Sequence, residues 1–225
     1  MKREPGGGRA LEGAEPEPQR TAVVSEDLET MAAAFPDAAA ETHAMLRSSH
    51  ALLEGHFLLS SGLHSPRYVQ CAKLLELPVR AHRVGERLGA LLGPLRVDSV
   101  VSPALGGLII GHEVAAALDV PFRFVERKDG AMELRRGFTL GYCERVVIVE
   151  DVVTTGKSTL EAAAVASGHG AEVVGVAAIL DRTEGRKPFT VPFLSLLALD
   201  FPTWSAADCP LCKAGGKPEK PGSRA

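Results

Sequence analysis

Residues 146–159 read VVIVEDVVTTGKST, and they crowd two carboxylates, several hydroxyls and a glycine turn into one short stretch. The carboxylates of Glu150 and Asp151 can accept hydrogen bonds from the hydroxyls of a sugar. Backbone N–H groups from Thr154 to Ser158, facing outward at the start of a helix, suit a phosphate. A phosphate and a diol held about one ribose apart describe a ribose 5-phosphate. The elements that must position these groups follow from the same residues. Val146–Val149 are β-formers, Thr154-Thr155-Gly156 is a turn, and Ser158 and Thr159 open a helical pattern. Strand, turn, helix places the turn at the carboxyl end of a strand, where open α/β sheets bind ligands.

A nucleoside-triphosphate loop is excluded. Asp151–Ser158 is one residue short of a Walker A motif, and the residue that differs is its first glycine. That glycine lets the backbone wrap the phosphates closely, and Asp151 would put a negative charge there instead.

An apolar strand, an acidic pair, two small apolar residues and Thr-x-Gly-x-Ser together resemble the PRPP-binding signature of type I phosphoribosyltransferases. The resemblance implies that Glu150, Asp151, Val152, Val153, Thr154, Thr155, Gly156, Lys157 and Ser158 bind PRPP. It also implies Mg²⁺ as cofactor, brought by PRPP and held in part by Asp151.

Composition is ordinary for a soluble globular protein. The chain has 225 residues, 45% hydrophobic and 24% charged, which suits one domain with appendages. A net charge of −3 argues against a general nucleic-acid binder. No membrane span is expected, and residues 1–20 lack the apolar core of a secretory signal. The four cysteines are too scattered for a disulfide framework, so the expected location is cytoplasmic.

Residues 1–25, rich in Gly, Pro, Glu and Arg, are expected to be a disordered tail. From Glu26 to Leu53 the pattern predicts one or two helices broken at Pro36, with Met45, Leu46, Leu52 and Leu53 packed. Residues 55–70 then read as two extended runs around a Ser/Gly turn. Gly55, Phe57, Leu59, Ser61-Gly62 and Ser65-Pro66, followed by Tyr68, resemble the base-binding loop of orotate phosphoribosyltransferases. The resemblance sets Tyr68, Val69 and Thr154 against orotate. Family members often carry Lys where this chain has Ser60.

Farther on, strand and helix alternate: a helical stripe over 82–92, a strand at 97–101, the turn Ala104-Leu105-Gly106-Gly107 and a helix over 108–118. Gly106 stands where related enzymes often have Lys at the diphosphate. After a strand at 121–126, Arg127-Lys128 matches the start of the family's mobile catalytic loop, which makes both residues candidate catalytic and PRPP-binding groups. The family's later Lys and His fall on Ala131 and Glu133, and Arg135 and Arg136 are candidates to supply that charge. The strand over 173–180 ends in Asp181-Arg182-Thr183-Glu184. A guanidinium presents a planar fork that matches a carboxylate, and the resemblance gives Arg182 that role toward orotate. Phe193–Leu199 reads as a last strand with Trp204 beneath it. Cys209 and Cys212 form a single CxxC, which cannot complete a four-ligand zinc site alone, and no His is close in sequence, so no metal is expected there.

The resulting expectation is an α/β chain of type I phosphoribosyltransferase-like fold, a mostly parallel sheet flanked by helices. The domain covers 26–208, with a hood at 26–80, a core at 81–208 and a flexible tail over 209–225. The implied activity is transfer of ribose 5-phosphate from PRPP to orotate in pyrimidine biosynthesis, with Asp151, Arg127 and Lys128 catalytic. A homodimer with shared sites is implied as well, and no nucleic acid or membrane partner. Another nucleobase, or a PRPP-sensing regulator without catalysis, are the competing readings.

Overall fold

Alternation of apolar side chains along the central strands sets up two cores. Val147 and Val149 of β6 (Arg145–Val153) enter one, with Val100, Ala177 and Ile179, while Val146 and Ile148 enter the other, with Val101, Val176 and Ala162. Period-two alternation sends neighbouring residues to opposite faces, so a strand apolar at every position must be covered on both. The computed structural model, which describes residues 36–59 and 61–221, shows such a layered sheet. Expectations for 1–25, for the helical run before Pro36 and for Ser60 lie outside the described residues.

The main sheet has six strands in the order β5-β4-β3-β6-β7-β8. Its strands are β3 (Ser99–Pro103), β4 (Phe122–Lys128), β5 (Ala131–Leu134), β6, β7 (Glu172–Asp181) and β8 (Phe193–Ala198). All neighbours are parallel except β4 and β5. Of the helices, α1 (Pro36–Ser48), α2 (Cys71–Leu75), α3 (Pro78–Leu92) and α4 (Gly107–Leu118) gather on one face, where Leu46, Leu74, Leu88 and Ile110 are fully buried. The other face is covered by α5 (Lys157–Gly168), through Ala162 and Ala166. Among the described residues no helix is long and apolar enough to cross a membrane.

Three sequence expectations change. Leu52 and Leu53 do not continue a helix: they begin β1 (Leu52–Leu58), which pairs antiparallel with β2 (His64–Val69). The helix stops because His50 turns into the left-handed region at φ 53° and the Ala51 N–H closes back on Leu46 O at 2.9 Å. The basic segment from Arg127 is a hairpin rather than an irregular loop. Asp129 and Gly130, at φ 51° and 88°, make the turn that right-twisted antiparallel strands favour.

The third change concerns the chain end. The sequence predicts a flexible tail from Cys209, yet residues 204–219 fold onto the β1–β2 hairpin. Trp204 does not simply underlie β8: it exchanges backbone hydrogen bonds with His64, at 2.8 and 3.0 Å. Glu219 does the same with His56 and Leu58, at 2.7 Å each. Between them Cys209 precedes the short helix α6 (Pro210–Lys213), and Cys209 and Cys212 come to lie against His56 and His64.

Candidate functional site

The carboxyl ends of β3, β6 and β7 lie side by side, and the loops that follow them build one cleft. Glu150 and Asp151 end the buried stretch of β6. Glu150 is only 7% exposed. Its carboxyl is raised to about 8, chiefly by burial and then by the negative field of Asp151. Burial raises Asp151 too, although its carboxylate accepts the Val152 N–H at 2.8 Å. No cation pairs with either among the described residues, so the pair retains a proton near neutral pH. Cys71, buried at the start of α2, stands behind them, its thiol raised by burial and by the same two carboxyls.

The β3–α4 turn presses against this pair. A Cβ at Gly106 would sit 2.7 Å from Asp151 Oδ1, and one at Gly107 would sit 2.8 Å from the Val149 carbonyl. Glycines here let the turn's backbone approach the acidic pair. On the other side, Thr154-Thr155-Gly156 leads into α5. Gly156, the N-cap residue, adopts φ 76° and has no side chain to cap the helix. Apart from the Lys157 N–H, which donates to Thr155 Oγ1 at 3.4 Å, the first N–H groups remain open to an anion, flanked by exposed Thr154, Thr155, Lys157 and Ser158. Val153, by contrast, is buried in the strand, where its carbonyl accepts the Arg182 N–H at 2.8 Å.

Arg182 follows β7 directly. Its guanidinium lies 4.7 Å from the ring centre of Phe201, and its Nε is buried without a hydrogen-bond partner. Burial lowers its pKa, opposed by the fields of Glu184, Asp200 and Tyr68, yet it forms no ion pair within the described residues. Tyr68 is thus near enough for its field to reach Arg182. Val69 does not join them: as the next residue on β2 it points the opposite way, into the main core. Sequence reasoning missed Phe201 and Arg67. The Arg67 guanidinium lies 5.9 Å from the same Phe201 ring, so two cations flank one buried aromatic. Only a cation–aromatic register across 134 residues could have signalled this, and no local pattern carries it.

The expected loop cations stand on the β4–β5 hairpin. Arg127 bonds to Glu161 of α5 and to the Gly130 carbonyl. Lys128 is exposed and makes no ion pair among the described residues. Arg135 and Arg136 both bind Glu126, and Arg136 also lies 5.6 Å from the Phe124 ring centre. Because their charge is already directed at Glu126, Arg135→Ala and Arg136→Ala should each cost little in stability, as exposed pairs contribute little, and leave turnover close to wild type. A larger loss in steady-state assays would mean that one of them swings to the diphosphate.

Known proteins resemble this chain. A family model of the phosphoribosyl transferase domain matches residues 93–206. The orotate phosphoribosyltransferase of Thermotoga maritima is 52% identical over 180 residues, covering 80% of this chain and 96% of its own. That of Novosphingobium aromaticivorans is 51% identical, covering 80% and 94%. Among solved structures, the Mycobacterium tuberculosis orotate phosphoribosyltransferase in complex with inorganic phosphate superposes with a TM-score of 0.58 at 28% identity, covering 73% of this chain and 96% of that one. The Aeropyrum pernix enzyme gives 0.56 at 28%, covering 69% and 92%. An acidic pair beside an open helix terminus, an unpaired arginine one strand away and relatives matched along nearly their whole length agree: the chain belongs to the phosphoribosyl transferase family, among the orotate phosphoribosyltransferases.

Proposed function

We infer that the protein transfers the ribose 5-phosphate of PRPP to orotate, giving orotidine 5′-monophosphate and diphosphate, in pyrimidine biosynthesis. One observation carries the choice of base. Arg182 is a half-buried guanidinium with an orphaned Nε and no internal carboxylate, beside Tyr68 and on Phe201. Leaving such a donor unpaired is costly, and a planar ring bearing a carboxylate would pair it. The test is orotate consumption followed by absorbance with PRPP and Mg²⁺, beside uracil and adenine as bases. Turnover of orotate alone supports the reading; turnover of adenine, or PRPP binding without turnover of any base, overturns it.

In the proposed mechanism the bond from the anomeric carbon to diphosphate breaks as the orotate ring nitrogen closes on that carbon. Charge develops on the ribose, and no protein nucleophile is needed. The open N–H groups at Thr154–Ser158 hold the 5′-phosphate, with Lys157 beside them. Glu150 and Asp151 accept the 2′- and 3′-hydroxyls, which fixes the ring in line with the base. The buried pair, without a cation of its own, is an all-oxygen donor set that suits Mg²⁺, with Asp151 nearer the diphosphate turn. Held by these carboxylates together with PRPP, Mg²⁺ would supply positive charge to offset that of the leaving diphosphate. Arg182 and Tyr68 orient the base.

The remaining cation is assigned to Lys128, acting across a homodimer in the partner's site. Lys128→Ala is expected to lower kcat about 10²-fold, the scale for one lost transition-state contact. Mixed with inactive Asp151→Asn after subunit exchange, it should recover about a quarter of wild-type activity, since half the dimers then hold one intact site. No recovery places Lys128 in its own subunit's site. The exposed free thiol of Cys143 suits a reducing, cytoplasmic compartment.

A further inference from the structure

His56, His64, Cys209 and Cys212 bring one donor atom each to a common point, all four atoms within 4.8 Å of one another. His56 Nε2 lies 3.0 Å from His64 Nδ1, 3.4 Å from Cys209 Sγ and 3.7 Å from Cys212 Sγ. Cys212 Sγ lies 3.3 Å from His64 Nδ1. A single ring nitrogen carries one proton at most and cannot donate to three neighbours at once. The thiols can fill the centre only as weak S–H donors, whereas as thiolates they and the two ring nitrogens turn four lone pairs toward it. A cation there resolves it.

The dimensions identify the cation. Donors around tetrahedral zinc, with bonds of about 2.05 Å to nitrogen and about 2.3 Å to sulfur, stand about 3.4 Å apart nitrogen to nitrogen and about 3.6 Å nitrogen to sulfur. The nitrogen–sulfur separations of 3.3, 3.4 and 3.7 Å bracket the second value, and the nitrogen pair, at 3.0 Å, stands somewhat closer than the first. Two thiolates and two imidazoles select a soft or borderline metal and disfavour Mg²⁺ or Ca²⁺. His64 and Cys209 are buried, and all four positions are filled by protein, as in a structural rather than a catalytic centre. With Nε2 of His56 turned to the metal, its proton resides on Nδ1, the cluster's one buried nitrogen without a partner.

We propose that His56, His64, Cys209 and Cys212 form a structural zinc site that fastens the chain end to the β1–β2 hairpin. The four ligands lie outside the matched residues 93–206. The cysteines are 153 and 148 residues from their histidine partners. The expectation that this CxxC lacks help is corrected: the help comes from the hairpin. Since the same hairpin carries Arg67 and Tyr68 toward Phe201 and Arg182, zinc also steadies the base side of the cleft, a consequence that rests on the orotate reading.

Elemental analysis of the full chain, purified without chelator or metal-affinity resin, should find about one zinc per chain. After chelation Tm should fall by about 5 °C or more. Co²⁺ added in its place should give the visible bands of a tetrahedral site and a thiolate charge-transfer band, unaffected by excess Mg²⁺. Cys212→Ser and His56→Ala should each lose most of the zinc. If neither folds, metal content and the cobalt spectrum of the wild type still decide. No zinc and no tetrahedral cobalt spectrum, or a Cys209–Cys212 disulfide found by mass spectrometry in fresh protein, would overturn the site. Chelation should also raise KM for orotate more than KM for PRPP. If zinc is bound but the two KM values move together, the metal site stands and its link to the base is wrong.

Discussion

Arg182→Ala should lower kcat/KM for orotate by about 10²- to 10⁴-fold, the loss of two charge-assisted hydrogen bonds at about 1.5–3 kcal/mol each. Most of that should appear in KM, because the carboxylate is held alike before and during bond exchange. Stability should move the other way or not at all. In the free protein the guanidinium is desolvated and its Nε is unsatisfied, and among the described residues the Phe201 ring and the fields of Glu184, Asp200 and Tyr68 offset this without an ion pair. A variant with unchanged or higher Tm and collapsed activity is the signature of a group kept for its ligand. Discrimination between orotate and uracil should narrow in the same variant, since uracil offers no carboxylate. Lysine at 182 supplies charge without the fork and should recover only part of the loss. If Arg182→Ala leaves KM for orotate unchanged, the clamp lies elsewhere, and Arg67, whose guanidinium lies 5.9 Å from the same ring centre, is the next residue to change.

Glu150→Gln has the second large effect, and it separates stability from binding. In the folded chain the Glu150 carboxyl titrates at about 8 rather than the ordinary 4.5. Between those values the folded state holds a proton that the unfolded state has released. The stability linked to that proton is complete below the lower value and is lost as pH rises through the upper one. Thermal melts of the ligand-free wild type should therefore fall between pH 5 and about 8, and the Gln variant, which mimics the protonated acid, should show a flatter profile. Binding reverses the preference. Ribose hydroxyls and Mg²⁺ both want ionised acceptors, so PRPP with Mg²⁺ should expel up to about one proton from the coupled pair at pH 7. Calorimetry in two buffers of different ionisation enthalpy measures it. The Gln variant should release much less and lose about 10²-fold in kcat/KM for PRPP. Equal proton release in both proteins would remove Glu150 from the sugar site.

What the sequence revealed was what sits close together along the chain. The strand, acidic pair, turn and helix of 146–159 are contiguous, so pattern and chemistry point the same way, and Arg182 could be placed because it directly follows an apolar strand. The hairpin at 122–134 was hidden by its own charges. Arg127, Lys128 and Glu133 obscure the alternation, although Asp129-Gly130 between two extended runs was a legible turn signal. Leu52 and Leu53 fit a helical stripe as well as a strand, and only the backbone reversal at His50 decides between them. Val69 follows Tyr68 in sequence, but strand geometry turns it away. Phe201, Arg67 and the two histidines facing the CxxC could not be read at all. Their meaning comes from contacts across more than a hundred residues, and no periodicity encodes those.

The stitching of Trp204 and Glu219 onto His64, His56 and Leu58 has a bearing on when the enzyme becomes complete during synthesis. A two-stranded hairpin alone is marginal in water. The segment 52–69 leaves the ribosome before any strand of the main sheet, yet the backbone partners that extend it belong to residues 204–219. Closing so long a loop makes this one of the slow, non-local steps of folding. On the function proposed above, the wall of the cleft assigned to the base is thus translated early and finished late, and a nascent chain would hold its phosphate turn in place before it could recognise a pyrimidine.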